Sequence, residues 1–222
     1  MKSSEPRRPR GRPRLLDRQK ALEAALQLFW RQGYEGTGIA DLTAAMGTTP
    51  PSLYAAFGSK ERLYSEALDL YGASYGSFLR RALEEEPTAR RAVERILRDA
   101  LEVYAGGPDP RGCMLSVGTL TCAPEHEKVR EDLARRRLAT IERLKARLDR
   151  AVAEGELDAG TDTAALAAYY AAVIQGLSIQ ARDGISRGVL ASIVDAALGV
   201  WPAKAPVAKG RGVRRAGAQP AS

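Results

Sequence analysis

The sequence predicts an all-α protein: an N-terminal three-helix helix-turn-helix domain followed by a C-terminal helical domain. Three observations predict it. Apolar residues make up 45% of the 222-residue chain, yet β-branched runs are scarce. Apolar positions recur at spacings of three and four along most of the length, which is the helical period. Residues 39–60, IADLTAAMGTTPPSLYAAFGSK, spell a short helix, a glycine turn, a second short helix and the capped start of a third.

That stretch carries the most information. Ile39, Leu42 and Met46 fall on one helical face, and Gly47 supplies the left-handed residue that ends the helix and swings the chain. Thr48 or Thr49 caps the next helix, whose first turn tolerates Pro50 and Pro51 because its N–H groups lack helical partners in any case. Leu53 and Phe57, four apart, turn inward. Ser52, the two threonines and Tyr54 are left outside at the amino end. A helix-turn-helix sets that end of its second helix against base edges in the major groove.

GTTPPSLYAAFGSKE, with the helix before it and GRPR upstream, resembles the DNA-binding domain of the TetR family of transcriptional repressors. The ordered run Leu-Tyr-x-x-Phe-x-Ser-Lys-Glu is more specific than a bare helix-turn-helix pattern. The resemblance implies that Tyr54 and Lys60 touch phosphates and that Thr48, Thr49 and Ser52 lie near bases. Pro50 and Leu53 belong to the same DNA-facing segment, and Thr37 caps the second helix and reaches a phosphate. Two features depart from the family pattern. Thr43 stands where a small Ala is usual, and the proline pair stiffens the start of the recognition helix.

The net charge of +7 is unevenly spread. Residues 1–14 contribute +5, residues 201–222 another +5, and the body between them is acidic. Two basic tails suit a polyanionic partner. In the first, Arg10-Gly11-Arg12-Pro13 is similar to the core of an AT-hook. Glycine lets the chain approach closely, proline keeps it extended, and Arg10 and Arg12 fit a narrow A·T-rich minor groove. No run of about 18 uninterrupted apolar residues suggests a membrane span, and no apolar stretch follows the basic start as in a signal peptide. The expectation is a cytoplasmic protein. Cys113 and Cys122 make no disulfide framework. On one helix they would lie about 13 Å apart, so both are expected reduced.

Taken in order, the remaining elements begin with Asp17, which caps a helix bearing Leu22, Ala25, Leu26 and Phe29 and ending at Gly33. Ser59 caps a long helix of about 25 residues, through Leu63, Ala67, Phe78 and Ala82, with Gly72 and Gly76 inside it. As the sole covalent link between the domains, it is the natural carrier of a signal. Pro87-Thr88 opens a further helix, and GGPDP at 106–110 breaks the chain. An apolar segment from Gly112 to Cys122 follows. A charged helix then runs to about Glu154, with Val129, Leu133, Ile141, Leu144, Leu148 and Val152 as its buried stripe. Asp162 caps an unusually apolar helix, and Ser186 starts the last one.

Nothing supports catalysis. The one histidine, His126, reads as a solvated helix start, and no metal set, phosphate loop, dinucleotide fingerprint or nucleophile elbow appears. Cys113 reads as a buried, inert thiol. Neither metal nor cofactor is expected. In TetR-like proteins the C-terminal domain resembles a box around a small apolar ligand. By that resemblance Phe78, Tyr104, Cys113, Met114, Val117, Tyr169, Tyr170 and Val173 line it, although the same residues could simply fill a core. The last two helices then form the dimer's four-helix bundle through Leu177, Val189, Leu190, Ile193, Val194 and Ala197. The expected organisation is a basic arm (1–14), a DNA-binding domain (15–60), a ligand-binding and dimerisation domain (61–200) and a basic tail (201–222). The expected function is a ligand-responsive repressor that binds a palindromic double-stranded operator as a homodimer and is released by a small-molecule effector. An architectural DNA binder using the Arg-rich tails, or a helical small-molecule binder or enzyme with an incidental helix-turn-helix, are the rivals.

Overall fold

The structure, a computed structural model, describes residues 16–107, 111–118 and 120–202. Arg10 and Arg12, with the arm that carries them, and the tail beyond 202 lie outside the described residues. Asp17 caps α1 (Arg18–Gln32) by accepting the Lys20 amide, and Gly33 ends it at φ 75°. α2 (Ile39–Met46) and α3 (Pro50–Phe57) meet at Gly47, left-handed at φ 62°. α1 packs on α2 and on α4 (Lys60–Ala73), which closes the small domain over Phe29, Leu42, Leu53, Phe57 and Leu63.

Two expectations fail here. Thr37 does not cap α2. Gly38 does, with its amide donating to the Asp41 carboxylate at 2.9 Å. Thr37 is fully buried, and its hydroxyl donates to the Gly33 carbonyl at 2.6 Å. The single helix of about 25 residues is also two: α4 stops at Ala73, and α5 (Ser77–Glu85) starts after a tight turn. Ser74 and Ser77 each donate to a backbone carbonyl, and the Gly76 amide reaches back to Tyr71 at 2.8 Å. A Cβ on Gly76 would stand 3.3 Å from the Gly72 Cα, so the glycines permit a close backbone approach. Serine side chains that offer the backbone another partner help stop a helix where glycine has already weakened it.

Thr88 caps α6 (Ala89–Ala105) by accepting the Arg91 amide. The described residues between Arg111 and Ala123 form turns rather than a helix, so no helix joins the two cysteines, both of which are free. A single 3-10 turn, Pro124–His126, leads into α7 (Glu127–Ala153). Val129, Leu133, Leu144 and Leu148 are buried there as expected, while Ile141 and Val152 are half-buried. Asp162 and Ser186 cap α8 (Thr163–Arg182) and α9 (Arg187–Gly199) through the Ala165 and Val189 amides. α8 is long and apolar enough to cross a membrane by length and mean hydropathy. One of its faces packs against α6, α7 and α9, which accounts for its composition as a core helix.

The two parts of the molecule share one continuous core. The Trp30 indole N–H, at the end of α1, donates to the Gly112 carbonyl at 2.9 Å, and the ring stands edge-on to Tyr71. Gly112 sits at φ 66°, and a Cβ there would lie 2.5 Å from the Ser178 carbonyl. The next amide, of Cys113, donates to the Ser178 hydroxyl at 2.6 Å. Gly112→Ala therefore combines backbone strain with a clash against α8. It should lower unfolding free energy by about 2–4 kcal/mol, read from the denaturant midpoint.

Candidate nucleic-acid interface and effector cavity

The amino end of α3 is an exposed polar surface of the small domain. Thr49, Pro50, Pro51, Ser52 and Tyr54 are exposed and Thr48 is half-exposed. Thr49 is the N-cap residue, but its side chain caps nothing; its hydroxyl lies 3.1 Å from that of Ser52. Prolines at the first two helical positions have no N–H to cap, which leaves both hydroxyls facing outward. Tyr54 is 45% exposed and one turn further on.

Leu53 does not belong to this surface. It is completely buried and pins α3 to the core, so it supports the helix rather than meeting a base. Thr37, equally buried and with its hydroxyl engaged, is likewise no surface contact. The Leu53 correction follows from helix phase, since a position beside exposed residues in sequence faces the opposite way in space, whereas Thr37 is turned inward in the α1–α2 loop by its bond to the Gly33 carbonyl.

Lys60 is half-buried at the start of α4, with its ammonium 4.2 Å from the centre of the Tyr34 ring. Burial lowers its pKa, opposed by the nearby Glu35 and Glu61 carboxylates. The Tyr34 hydroxyl donates to Glu61 at 2.9 Å, and burial together with that bond raises the phenol well above its ordinary range. His126 is not the solvated residue the sequence suggests. Its Nδ1 is 2.8 Å from Glu35, and its ring meets Tyr34 edge-on. It ties the large domain to the α1–α2 loop. Among the described residues no group of three or more His, Cys, Asp and Glu side chains could hold a metal.

The large domain contains a cavity of about 360 Å³ between α4, α5, α6, α7, α8 and the Cys113–Ser116 turn. Phe78, Tyr104 and Cys113 line it as expected. Met114 is buried but outside the lining, and Val117 is half-buried elsewhere. Tyr169 and Tyr170 meet edge-on, and Tyr170 also packs on Trp201 and donates to the Ala197 carbonyl at 3.5 Å. That side of α8 faces α9 rather than the cavity, and Val173 does not reach the lining either. Burial pushes the Tyr170 phenol up to about 12. Sequence reasoning missed Tyr71, Arg136, Arg137, Thr140 and Gln175 in the wall. Tyr71 falls on the buried stripe of α4, a signal that was available. The arginines sit on a face of α7 whose charges gave no such signal.

The proposed dimer residues divide in the same way. Leu177, Leu190, Val194 and Ala197 are buried within their own subunit and so cannot cover a second copy. Val189 is 53% exposed and Ile193 half-exposed. Ile179, Ile185 and Val200 are further exposed apolar residues on or beside α8 and α9, which gives those helices an apolar outer face.

Comparisons with known proteins agree with this architecture. A family model described as bacterial regulatory proteins, tetR family, matches residues 21–67, and one described as tetracyclin repressor-like, C-terminal domain, matches residues 79–195. The HTH-type transcriptional repressor ComR of Escherichia coli (strain K12) is 33% identical over 197 residues, 88% of this chain and 94% of its own. BdcR, an HTH-type transcriptional repressor of the same strain, is 30% identical over 79% of this chain and 84% of its own. A cysteine mutant of the TetR family transcriptional regulator CifR has been solved in complex with a 26-base-pair double-strand operator DNA. It is 44% identical, covers 86% of this chain and 100% of its own, and superposes with a TM-score of 0.82. With an exposed polar recognition-helix end, a second helical domain and family matches over both, the chain belongs to the TetR family of transcriptional regulators.

Proposed function

We propose that this regulator represses transcription in the cytoplasm by binding a palindromic operator as a homodimer, and that a small molecule in the cavity releases it. The observation that carries the reading is the placement of α4. Its first turn holds Lys60 against Tyr34 beside the recognition helix, and Leu68, Asp69, Tyr71 and Gly72 further along line the cavity. Ligand and DNA therefore act on the same helix. Relatives described as repressors, and a similar protein solved on operator DNA, support the direction of the effect.

On the DNA side, Thr49 and Ser52 are the base-reading candidates, with Thr48 and Pro50 beside them and Tyr54 and Lys60 at phosphates. Charge assigns a role to the arm. Residues 16–67 hold five cations, Arg18, Lys20, Arg31, Lys60 and Arg62, against six acids. Arg18 is further committed to Glu66 at 2.6 Å. The folded domain thus has no net attraction for a polyanion, and the +5 of residues 1–14, Arg10 and Arg12 included, supplies it. The outer face of α8 and α9, with Val189 and Ile193, pairs two copies so that their recognition helices meet major grooves about one DNA turn, ~34 Å, or a multiple of it apart.

Deleting residues 1–14 should weaken operator binding and flatten the plot of log affinity against log salt, by about 0.9 in slope for each phosphate that the arm neutralises. Fluorescence anisotropy across a salt series measures this, and an unchanged slope would remove the arm from the interface. Ser52→Ala or Thr49→Ala should cost about 1–3 kcal/mol on the preferred operator and relax preference at one base pair. Selection from a randomised operator pool reads that directly; uniform weakening at every position would make the residue a phosphate contact instead. Val189→Asp should sediment as a monomer where the parent chain is dimeric, with operator binding abolished in parallel.

A further inference from the structure

We propose that the cavity takes an organic anion, an acidic head group on an apolar body, with the head held by Arg137 and by the hydroxyl of Tyr71. The inference rests on reading the cavity as the effector site and specifies what that site accepts. Four guanidinium side chains, Arg80, Arg136, Arg137 and Arg143, contribute to the lining against a single carboxylate, Asp69. Asp69 is already neutralised by Arg136 at 2.6 Å, and Arg136 also binds Asp132 at 3.0 Å. Arg80 is paired with Glu84, and Arg143 is exposed, so solvent screens its charge.

Arg137 is different. It is half-buried, and among the described residues it has no carboxylate partner; its one protein hydrogen bond runs to the Leu115 carbonyl at 3.0 Å. Desolvation lowers its pKa, with Arg130 adding repulsion. A guanidinium keeps its charge even so, so the cavity wall holds a desolvated, uncompensated cation. An incoming anion compensates it.

The second observation is independent of charge. Tyr71 is 1% exposed and lines the cavity, and its hydroxyl makes no hydrogen bond of good geometry in the protein, only the Cys113 thiol and the Met114 backbone lying near it. Buried hydroxyls are nearly always bonded, so one left open toward a cavity marks a place for a polar ligand atom. The Cys113 thiol and the Tyr104 hydroxyl lie beside it. Burial holds both phenols well above their ordinary range, so each remains an O–H donor at neutral pH rather than a phenolate. Donors and an unpaired cation in one wall ask for an acceptor that carries negative charge. The rest of the lining, including Leu68, Phe78, Leu79 and Ile174, asks for an apolar body. Inorganic phosphate or sulfate satisfies the first demand and not the second.

The test uses the full chain with octanoate and 2-naphthoate as probes, each beside its primary amide, which keeps the shape and removes the charge. Calorimetry should show the carboxylates binding at least about tenfold more tightly than the amides, as expected for charge-assisted hydrogen bonds. Arg137→Gln should erase that preference while leaving amide binding within about twofold. Tyr71→Phe provides the folding control: it removes a buried hydroxyl with no well-formed hydrogen bond, so its melting temperature should hold or rise while carboxylate binding falls severalfold. Equal binding of acid and amide, no binding of either carboxylate, or an Arg137→Gln protein that keeps the preference each overturn the proposal. Operator anisotropy separates it from the reading beneath it. Carboxylate binding that leaves operator affinity unchanged upholds the anion site and removes its role as effector site; operator release by the amides alone does the reverse.

Discussion

The end of α1 has to dock on the large domain for any signal to pass, and two side chains make much of that docking by reaching backbone carbonyls. The Trp30 indole donates to the Gly112 carbonyl, while the Arg182 guanidinium, at the end of α8, collects the carbonyls of Trp30, Arg31 and Arg111. Two of those carbonyls are in the last turn of α1, where they have no helical partner and where the helix dipole is negative. One cation therefore completes the end of one helix from the end of another. Because the partners are main-chain oxygens, the contact fixes where α1 ends, and with it where α2 and α3 begin. The left-handed glycine at 112, pressed against Ser178, keeps its carbonyl in the one place where the indole can reach it.

A second attachment lies on the other side of α4. His126 binds Glu35 in the α1–α2 loop, and the Tyr34, Glu61 and Lys60 cluster surrounds it. Held at two points, the small domain cannot swivel freely about the single chain crossing of α4. Its orientation follows from how α4 lies between α1 and α7. Arg136 sets that position from the α7 side, binding Asp69 and the Ser65 hydroxyl of α4 while its own charge is raised in pKa by those carboxylate partners against the opposing effect of burial.

Local chemistry made much of this legible. Helix starts at Asp17, Ser59, Thr88, Asp162 and Ser186 depend on one side chain and the amide three residues on, so sequence alone places them. The turn at Gly47 and the proline start of α3 are equally local. Deletion of the arm and substitution of Ser52 are meaningful experiments because those features can be read without the tertiary structure. Phase between packed helices could not be read. Leu177, Leu190, Val194 and Ala197 carry the spacing expected of an interface, but the subunit's own core claimed them, and Val189, Ile179 and Ile185 are among the apolar residues left exposed. Tyr170 turned toward α9 and Trp201 for the same reason. The break after Ala73 needed more than two glycines; it needed serines that divert backbone carbonyls and a close approach of residue 76 to residue 72.

On the proposed reading, the adjacency of Arg136 and Arg137 on α7 would couple the cavity to the DNA surface. Arg137 faces the cavity without a carboxylate, while Arg136, also in the lining, holds α4 through Asp69. In that proposal a negative charge entering beside Arg137 would compete with Asp69 for the neighbouring guanidinium and would loosen the tie between α7 and α4. The tight turn at 74–76 lets α4 shift without dragging α5, since no continuous helix transmits the strain past it. A tilt at Asp69 moves Lys60, nine residues and about 14 Å along the helix, and with it the recognition helix that packs on α4. If two copies join through α8 and α9 as proposed, the effect on the distance between the two reading helices would double. The release step requires a ligand to favour the tilted arrangement by about 5.5 kcal/mol if the balance is to pass from 1:99 to 99:1. Compensating a half-buried cation that lacks a carboxylate and a weakly bonded buried hydroxyl in only one of the two arrangements would provide a difference of that kind, whereas filling the cavity equally well in both would shift nothing.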